Sequence, residues 1–588
     1  MSLDTLCAAF QDTAARHPDK VALRTADGSV TITWSQYAGR VRAIAAGLAK
    51  LGVRHGDTVG LMLTNRPEFH LVDTAAVHAG ATPFSVYNTL AAEQLHHVLT
   101  NAGCRIMVCE SQFLPVIREA APGTPVERIV CVDGTPEGTI GLADVEAEPD
   151  PDFDFETSWR AVRPDDLITV IYTSGTTGPP KGVELTHTNV IAFRDASVEL
   201  AHPTSDDRGV SYLPDAHIAN RNVAHYCGIF FATEITTLAN PKQAVTALPE
   251  VRPTIFLAVP QVWYKVKAGV EAALDAETSA PKRRLAGWAI DVGIRTARMR
   301  SAGVPIPHRL ELQHAAAERL VLAPIRRKLG LDEVRLAITA AAPMSPDVLA
   351  FILGLGIPCC EAWAMSETAA TGTANRPGSI RIGTVGEPMA GVNMKLADDG
   401  ELLVSGPGVM RGYRGEPEKT ADALDADGWL HTGDIATIDT DGYVTIVDRK
   451  KELIVTTGGK NISPAAIEDA LHAASPLIAG AVAIGDNRPY VTALLTLDTE
   501  VAAAFAARTG STDETAEELA VNPDVRTEVE RAVDAANSHL SQVEQVKRFT
   551  ILPDVWEPGG DEFTPTMKLR RAPITAKYAD RIDDLYAG

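Results

Sequence analysis

Residues 167–183 read Leu167-Ile-Thr-Val-Ile-Tyr-Thr-Ser-Gly-Thr-Thr-Gly-Pro-Pro-Lys-Gly-Val183. The first six are almost all apolar, the pattern of a strand buried on both faces in a parallel sheet. Residues 173–183 then hold three glycines and four hydroxyl residues, and a helix-like run starts near His187. Such a loop can expose backbone N–H groups and hydroxyls as phosphate cradles do, with Lys181 adding a mobile positive charge. It is not a Walker A loop, because Gly182, not Ser or Thr, follows Lys181. Read alone, the segment fits either a phosphate-binding loop or a flexible structural turn.

The same alternation extends in both directions. Residues 31–34, 58–63, 105–109 and 128–132 read as strands and 35–51, 68–79, 93–100 and 111–121 as helices, with 81–85 leading from one unit into the next. Alternation of this kind predicts helices covering a mostly parallel sheet. Residues 133–165, rich in Pro, Gly, Asp and Glu, read as a surface connection. The α/β pattern then continues to about Cys360. From 383 to 447, short alternating segments between glycines predict a small β region. A compact mixed segment follows Lys451. Residues 513–534 carry eight acidic and two basic residues, which reads as a solvated helical face.

Composition narrows the function classes. The 588 residues hold 54 Lys and Arg against 76 Asp and Glu, a formal charge of −22. That balance argues against a general nucleic-acid or anionic-membrane binder, since polyanions select basic surfaces. A small anionic ligand is still compatible, because a cleft can be locally positive. Hydrophobic residues make up 45%, enough for large cores. The first residues show no secretory signal, and no window of about 18 apolar residues predicts a membrane span. The seven cysteines are scattered without a CxxC pair, as expected for reduced thiols in a cytoplasmic protein. His96-His97 reads as a polar helix face rather than a metal pair.

Five further stretches follow the glycine-rich loop in order. They are Ala340-Ala-Ala-Pro-Met344, Trp363-Ala-Met-Ser-Glu-Thr368 and Trp429-Leu-His-Thr-Gly-Asp434. Then come Asp448-Arg-Lys-Lys-Glu-Leu-Ile454 with Thr457-Gly-Gly-Lys-Asn461, and Thr564-Pro-Thr-Met-Lys-Leu-Arg-Arg571. Together with residues 172–183 they resemble, over nearly the whole chain, the acyl-adenylate-forming superfamily, which includes the acyl-CoA synthetases. The resemblance implies an α/β fold: a large N-terminal domain (1–449) with two helix-covered, mostly parallel sheets plus a small β region, and a small mobile α+β C-terminal domain (450–588).

It also implies a chemistry. ATP converts a carboxylate into an acyl-AMP, and the thiol of CoA then displaces AMP. The carboxylate is its own nucleophile, so the protein must align the reactants and neutralise phosphate charge. By resemblance, Thr173, Ser174, Gly175, Thr176, Thr177, Gly178 and Lys181 hold the phosphates. Ala341, Ala342, Pro343 and Trp363 border the adenine, and Ser366 touches the α-phosphate. Glu367 with Thr176 holds Mg²⁺. Asp434 accepts from the ribose hydroxyls, assisted by Arg449. Lys568 bridges acyl and α-phosphate oxygens, and His217 lies near the acyl carboxylate. Lys451 is the hinge. Gly458, Gly459 and Lys460 border the path of CoA, where glycine lets the pantetheine arm approach backbone.

Three residues depart from the family pattern. Trp363 replaces Tyr and offers a larger stacking face. Met567 replaces Gly before the lysine, a spelling that resembles the long-chain and very-long-chain synthetases. Asp215 stands where long-chain relatives commonly carry an apolar residue, so it bears on the acyl-site environment. The segments 217–233 and 254–262 are candidates for the acyl wall. The expected activity is an ATP-dependent ligase joining a long-chain or bulky hydrophobic carboxylic acid to CoA. Alternatives are an acyl-AMP ligase loading a carrier protein and a noncatalytic nucleotide-binding regulator. Weak membrane association and oligomeric state are left open.

Overall fold

A computed structural model describes residues 3–173, 179–455, 461–557, 559–564 and 568–587, with only the backbone at Val455 and Asn461. Of the expected site residues, Ser174, Gly175, Thr176, Thr177 and Gly178 lie outside the described residues, as do Gly458, Gly459 and Lys460.

The α/β alternation folds as its periodicity predicts. Strands Thr82–Ser85, Thr58–Met62, Ile106–Cys109, Arg128–Cys131 and Ile140–Gly141 form a wholly parallel sheet in that spatial order. Successive side chains of a strand face opposite sides. Val59, Leu61, Ile106 and Val108 therefore join a core with helices Trp34–Lys50 and Pro67–His78. Met62, Met107 and Cys109 join another with helices Ala92–Ala102 and Leu114–Ala120.

A second sheet sets Ile255–Ala258, Leu336–Thr339 and Cys359–Ala364 in parallel and adds Gly372–Ala374 and Glu387–Pro388 antiparallel. Parallel strands also form a third sheet, Arg208–Ser211, Glu234–Thr237 and Val21–Thr25, edged by antiparallel Thr31–Thr33. The small β region is an antiparallel sheet of Asn393–Leu396, Glu401–Ser405, Leu430–Ile438 and Val444–Arg449. Beyond it, helix Pro464–Ala474 covers strands Ile478–Ile484, Val491–Leu497 and Val546–Ile551. The acidic stretch holds helices Ala516–Val521 and Pro523–Asn537, and the second buries Val525, Val529 and Val533 beneath its charged face.

Two expectations fail for identifiable reasons. Strand Leu167–Thr173 is buried, but it pairs antiparallel with Lys181–Thr186. The connection between them is too short for a parallel crossover, which needs a dozen or more residues. The two strands therefore pair as a hairpin, and the second of them stands before helix His187–Ala201. Residues 133–165 are not a bare surface connection. They include helices Leu142–Ala147 and Phe155–Ala161, whose Leu142, Val145, Phe155 and Trp159 are buried. Apolar residues three or four apart dock these short helices despite the polar composition around them.

Candidate active site

One cleft of about 1860 Å³ runs between the N-terminal sheets and the C-terminal segment. Every expected site residue within the described residues lines it: Thr173, Lys181, His217, Ala341, Ala342, Pro343, Trp363, Ser366, Glu367, Asp434, Arg449, Lys451 and Lys568. They come from distant parts of the chain, so their convergence is a product of the tertiary fold.

The nucleotide end is built on strand ends. Trp363 lies on Cys359–Ala364 and Asp434 on Leu430–Ile438. Asp434 is buried, and its Oδ2 accepts from Trp363 Nε1–H at 2.8 Å. Its Oδ1 meets Arg449 Nε, also at 2.8 Å. Burial pushes the Asp434 carboxyl above its usual range, while Arg449 and the Trp363 donor oppose the shift. Ala341 holds φ +77°, a left-handed conformation costly for a residue with a Cβ. Such strain persists where the surroundings over-determine it, as at ligand clamps.

Glu367 sits on the short turn Ser366–Thr368, and its Oε1 accepts from the Tyr413 hydroxyl at 2.9 Å. Lys181 Nζ lies 4.8 Å from the centroid of the same Tyr413 ring. Tyr413 thus joins the expected phosphate lysine to the expected metal carboxylate. Sequence reasoning missed it; its only signal is an aromatic between glycines, Gly412-Tyr413-Arg414-Gly415. Oε2 of Glu367 has no hydrogen-bond partner among the described residues, which suits a group that must accept a cation.

Lys568 reaches the cleft from the C-terminal segment. Its backbone N–H donates to Thr564 Oγ1 at 3.0 Å. The side chain is open to solvent through the cleft yet hemmed by protein, so desolvation lowers its pKa, with Arg449 adding to the shift. Asp434, Glu367 and Glu452 pull the other way. Arg571 holds this loop in place: it forks onto Glu468 at 2.6 and 2.8 Å and meets Glu452 at 3.2 Å. Lys450 is fastened to the N-terminal body, through its N–H to Gly433 O and its ammonium to Asp399 and Glu401.

His217 caps the turn Ile218–Asn220, with Nδ1 accepting from Ala219 N–H at 3.2 Å. Burial, aided by Lys568, pushes its pKa down to about 4. The neutral ring therefore carries its proton on Nε2, as a donor. Asp215 is not part of the cleft wall. It is buried behind it, with Oδ1 accepting from Asn220 and Oδ2 without a partner among the described residues. The sequence expectation that Asp215 shapes the acyl environment is thus corrected: the chain turns at residues 213–217, leaving Leu213, Pro214 and His217 on the wall. The Arg221 guanidinium donates to the Asp215 carbonyl and to Asp73 in the same buried network. Apolar side chains including Phe193, Leu200, Val223, Phe231 and Leu257 also line the cleft. His97, away from the cleft, pairs with Pro180 O.

A family model described as AMP-binding enzyme matches residues 10–414, and one described as AMP-binding enzyme C-terminal domain matches 451–588. A Mycobacterium tuberculosis protein provisionally named fatty-acid–CoA ligase fadD11 is 49% identical over 451 residues, 76% of this chain and 79% of its own. Long-chain-fatty-acid–CoA ligase FadD15 of the same species is 34% identical over 97% of this chain and 95% of its own. The crystal structure of the anthranilate CoA ligase AuaEII with anthranoyl-AMP shares the fold, with a TM-score of 0.75 at 18% identity over 98% of both chains.

Proposed function

Because the chain belongs to the AMP-binding enzyme family, we propose that its cleft carries out both halves of an acyl-CoA synthesis. It is an AMP-forming acyl-CoA ligase that uses ATP and CoA. The observation that carries the reading is the meeting of Lys568, from the C-terminal segment, with Asp434, Glu367 and His217 of the N-terminal body around one cleft.

In the first half, Asp434 accepts from the ribose hydroxyls, with Arg449 and Trp363 favouring its ionised form. Lys181 and Lys568 neutralise charge on the phosphates as the acid's carboxylate displaces pyrophosphate from the α-phosphorus. A desolvated cleft strengthens each such contact. His217 donates from Nε2 to the acyl carboxylate region, which orients it without consuming a proton. Glu367, with Thr176, would hold Mg²⁺, which supplies charge neutralisation between phosphate oxygens. Glu361, also on the cleft wall, is pushed up to about 8 by burial. It is mostly protonated at neutral pH and adds little charge against the nucleotide.

In the second half, the CoA thiol attacks the acyl carbon and AMP leaves. We place the pivot for the accompanying rotation at Lys451, since Lys450 is held by the N-terminal body. The apolar side chains lining the cleft suit a long-chain or bulky acyl group, each buried CH₂ contributing about 0.8 kcal/mol.

The test is pyrophosphate release across a panel of carboxylic acids, with mass spectrometry of products with and without CoA. Acyl-CoA from long apolar acids is expected. Acyl-AMP as sole product in the presence of CoA would instead favour a ligase that loads a carrier protein.

A further inference from the structure

The charge of the chain is unevenly placed. Residues 280–330 carry eleven Lys and Arg against three acidic residues, a net of +8 within a chain of −22. Helix Ala280–Ser301 turns back through residues 302–307 into helix His308–Ala317, which runs on through the π-turn Glu318–Leu322 to helix Ala323–Leu329. Helices joined by so short a connection pack as an antiparallel hairpin. Their inner faces bury Ala289, Val292, Leu310 and Leu322.

The outer face is unusual. Leu312 and Leu320 are 60% and 59% exposed, and Leu285 and Val304 are exposed as well. Arg309, Leu312, Ala316, Arg319 and Leu320 are exposed and follow one another at helical spacing, so one helix face interleaves leucines with cations. Three arginines of the hairpin have carboxylate partners: Arg295 with Asp291, Arg298 with Asp347, and Arg326 with Glu318. Lys282, Arg284, Arg300, Arg309, Arg319, Arg327 and Lys328 form no ion pair among the described residues. A single exposed leucine needs no explanation. Several on one basic hairpin, in an otherwise acidic protein, do.

We propose that this hairpin docks the protein onto an anionic lipid bilayer, with its exposed leucines entering the headgroup–acyl boundary and its unpaired cations meeting lipid phosphates. No described helix is long and apolar enough to cross a membrane, so the attachment is peripheral. Apolar side chains among Lys and Arg on one surface are the pattern of interfacial helices. An acidic protein partner would satisfy the charges but gives no reason for leucines at helical spacing between them. The hairpin is also fixed to the cleft. A Cβ on Gly293 would lie 2.1 Å from Gly354 O, so the hairpin lies in backbone contact with helix Pro346–Gly354. Arg298 pairs with Asp347 at 2.6 Å, and Pro346, Asp347 and Val348 line the cleft. A bilayer bound there would hold the cleft rim close to the phase where long apolar acids dissolve. The docking itself does not depend on the ligase reading.

The test is flotation of the full chain with phosphatidylcholine–phosphatidylglycerol vesicles and with pure phosphatidylcholine. The native protein should float only with the anionic vesicles and be released by high salt. Combined Arg309→Gln, Arg319→Gln and Arg327→Gln should weaken the partition about 100-fold. Combined Leu312→Ser and Leu320→Ser should weaken it at least about 10-fold with every charge intact. All these positions are exposed, so melting temperature and pyrophosphate release with a soluble short acid should not change. Because flotation needs no catalysis, a chain inactive on every acid would still report on docking. Failure to float with anionic vesicles would overturn the proposal. So would flotation unaffected by either variant set, or a concentration-dependent dimer abolished by the same substitutions.

Discussion

Trp363 Nε1–H donates to Asp434 Oδ2 at 2.8 Å, although the two residues lie 71 positions apart. The position expected to face adenine thus also holds the carboxylate expected to receive the ribose. The departure from Tyr to Trp gains meaning from this bond: an indole N–H can only donate, and it stabilises the ionised form of a buried acid whose pKa burial raises.

Trp363→Phe keeps a ring but removes the donor. A hydrogen bond to a charged group is worth about 1.5–3 kcal/mol. ATP affinity should fall roughly 10-fold or more, measured by isothermal titration. Unchanged affinity would mean that the Trp363 donor contributes nothing to the ribose site.

Lys568→Ala should lower acyl-AMP formation by about 100-fold or more, as loss of one preorganised charge donor does. Thioester formation from supplied acyl-AMP should be much less affected. Equal loss in both half-reactions would count against a role confined to adenylation.

Arg571 forks onto Glu468 and anchors the Lys568 loop. Arg571→Lys keeps the charge but not the fork. Adenylation kcat should drop about 10-fold, since small misplacement of a catalytic group is costly, while KM for ATP holds. A rise in KM with kcat unchanged would show that Arg571 acts on binding.

The Asp215 carboxyl is raised by burial to about 8, from an ordinary 3.8. A group with a raised folded pKa gives stability that is whole below its unfolded pKa and lost as pH rises toward its folded pKa. Asp215→Asn abolishes that loss. Relative to the native protein, the variant should gain about 1.4 kcal/mol per pH unit between roughly pH 5 and 7.5. Urea titrations at several pH values would show it; a constant difference would mean that Asp215 is ionised in the folded state.

Gly293→Ala should destabilise the protein by about 1–3 kcal/mol despite alanine's helix preference. Its Cβ would lie 2.1 Å from Gly354 O, and backbone cannot yield as a side chain can. Thermal melting of the single variant is sufficient to check it.

Much of the site is legible in the linear chain. Lys181, Glu367, Asp434 and Lys568 stand in short ordered motifs, where each residue's chemistry is set by near neighbours. Tyr413 could not be found in that way, because its importance comes from touching both Lys181 and Glu367. Asp215 was misplaced for a related reason: one step along a turn moves a side chain from the cleft wall to the buried network behind it.

By itself, the sequence determined the α/β class, the family resemblance and the chemistry of the nucleotide end, since periodicity and local motifs express short-range preferences. The excess of cations at 280–330 was written there too, but hidden beneath a net charge of −22. The tertiary structure decided what depends on distant partners. It joined Trp363 to Asp434, set Tyr413 against Lys181 and Glu367, brought Lys568 into the cleft and turned Leu312 and Leu320 outward. Such pairings are set by how whole elements pack, and no window of neighbouring residues contains both members.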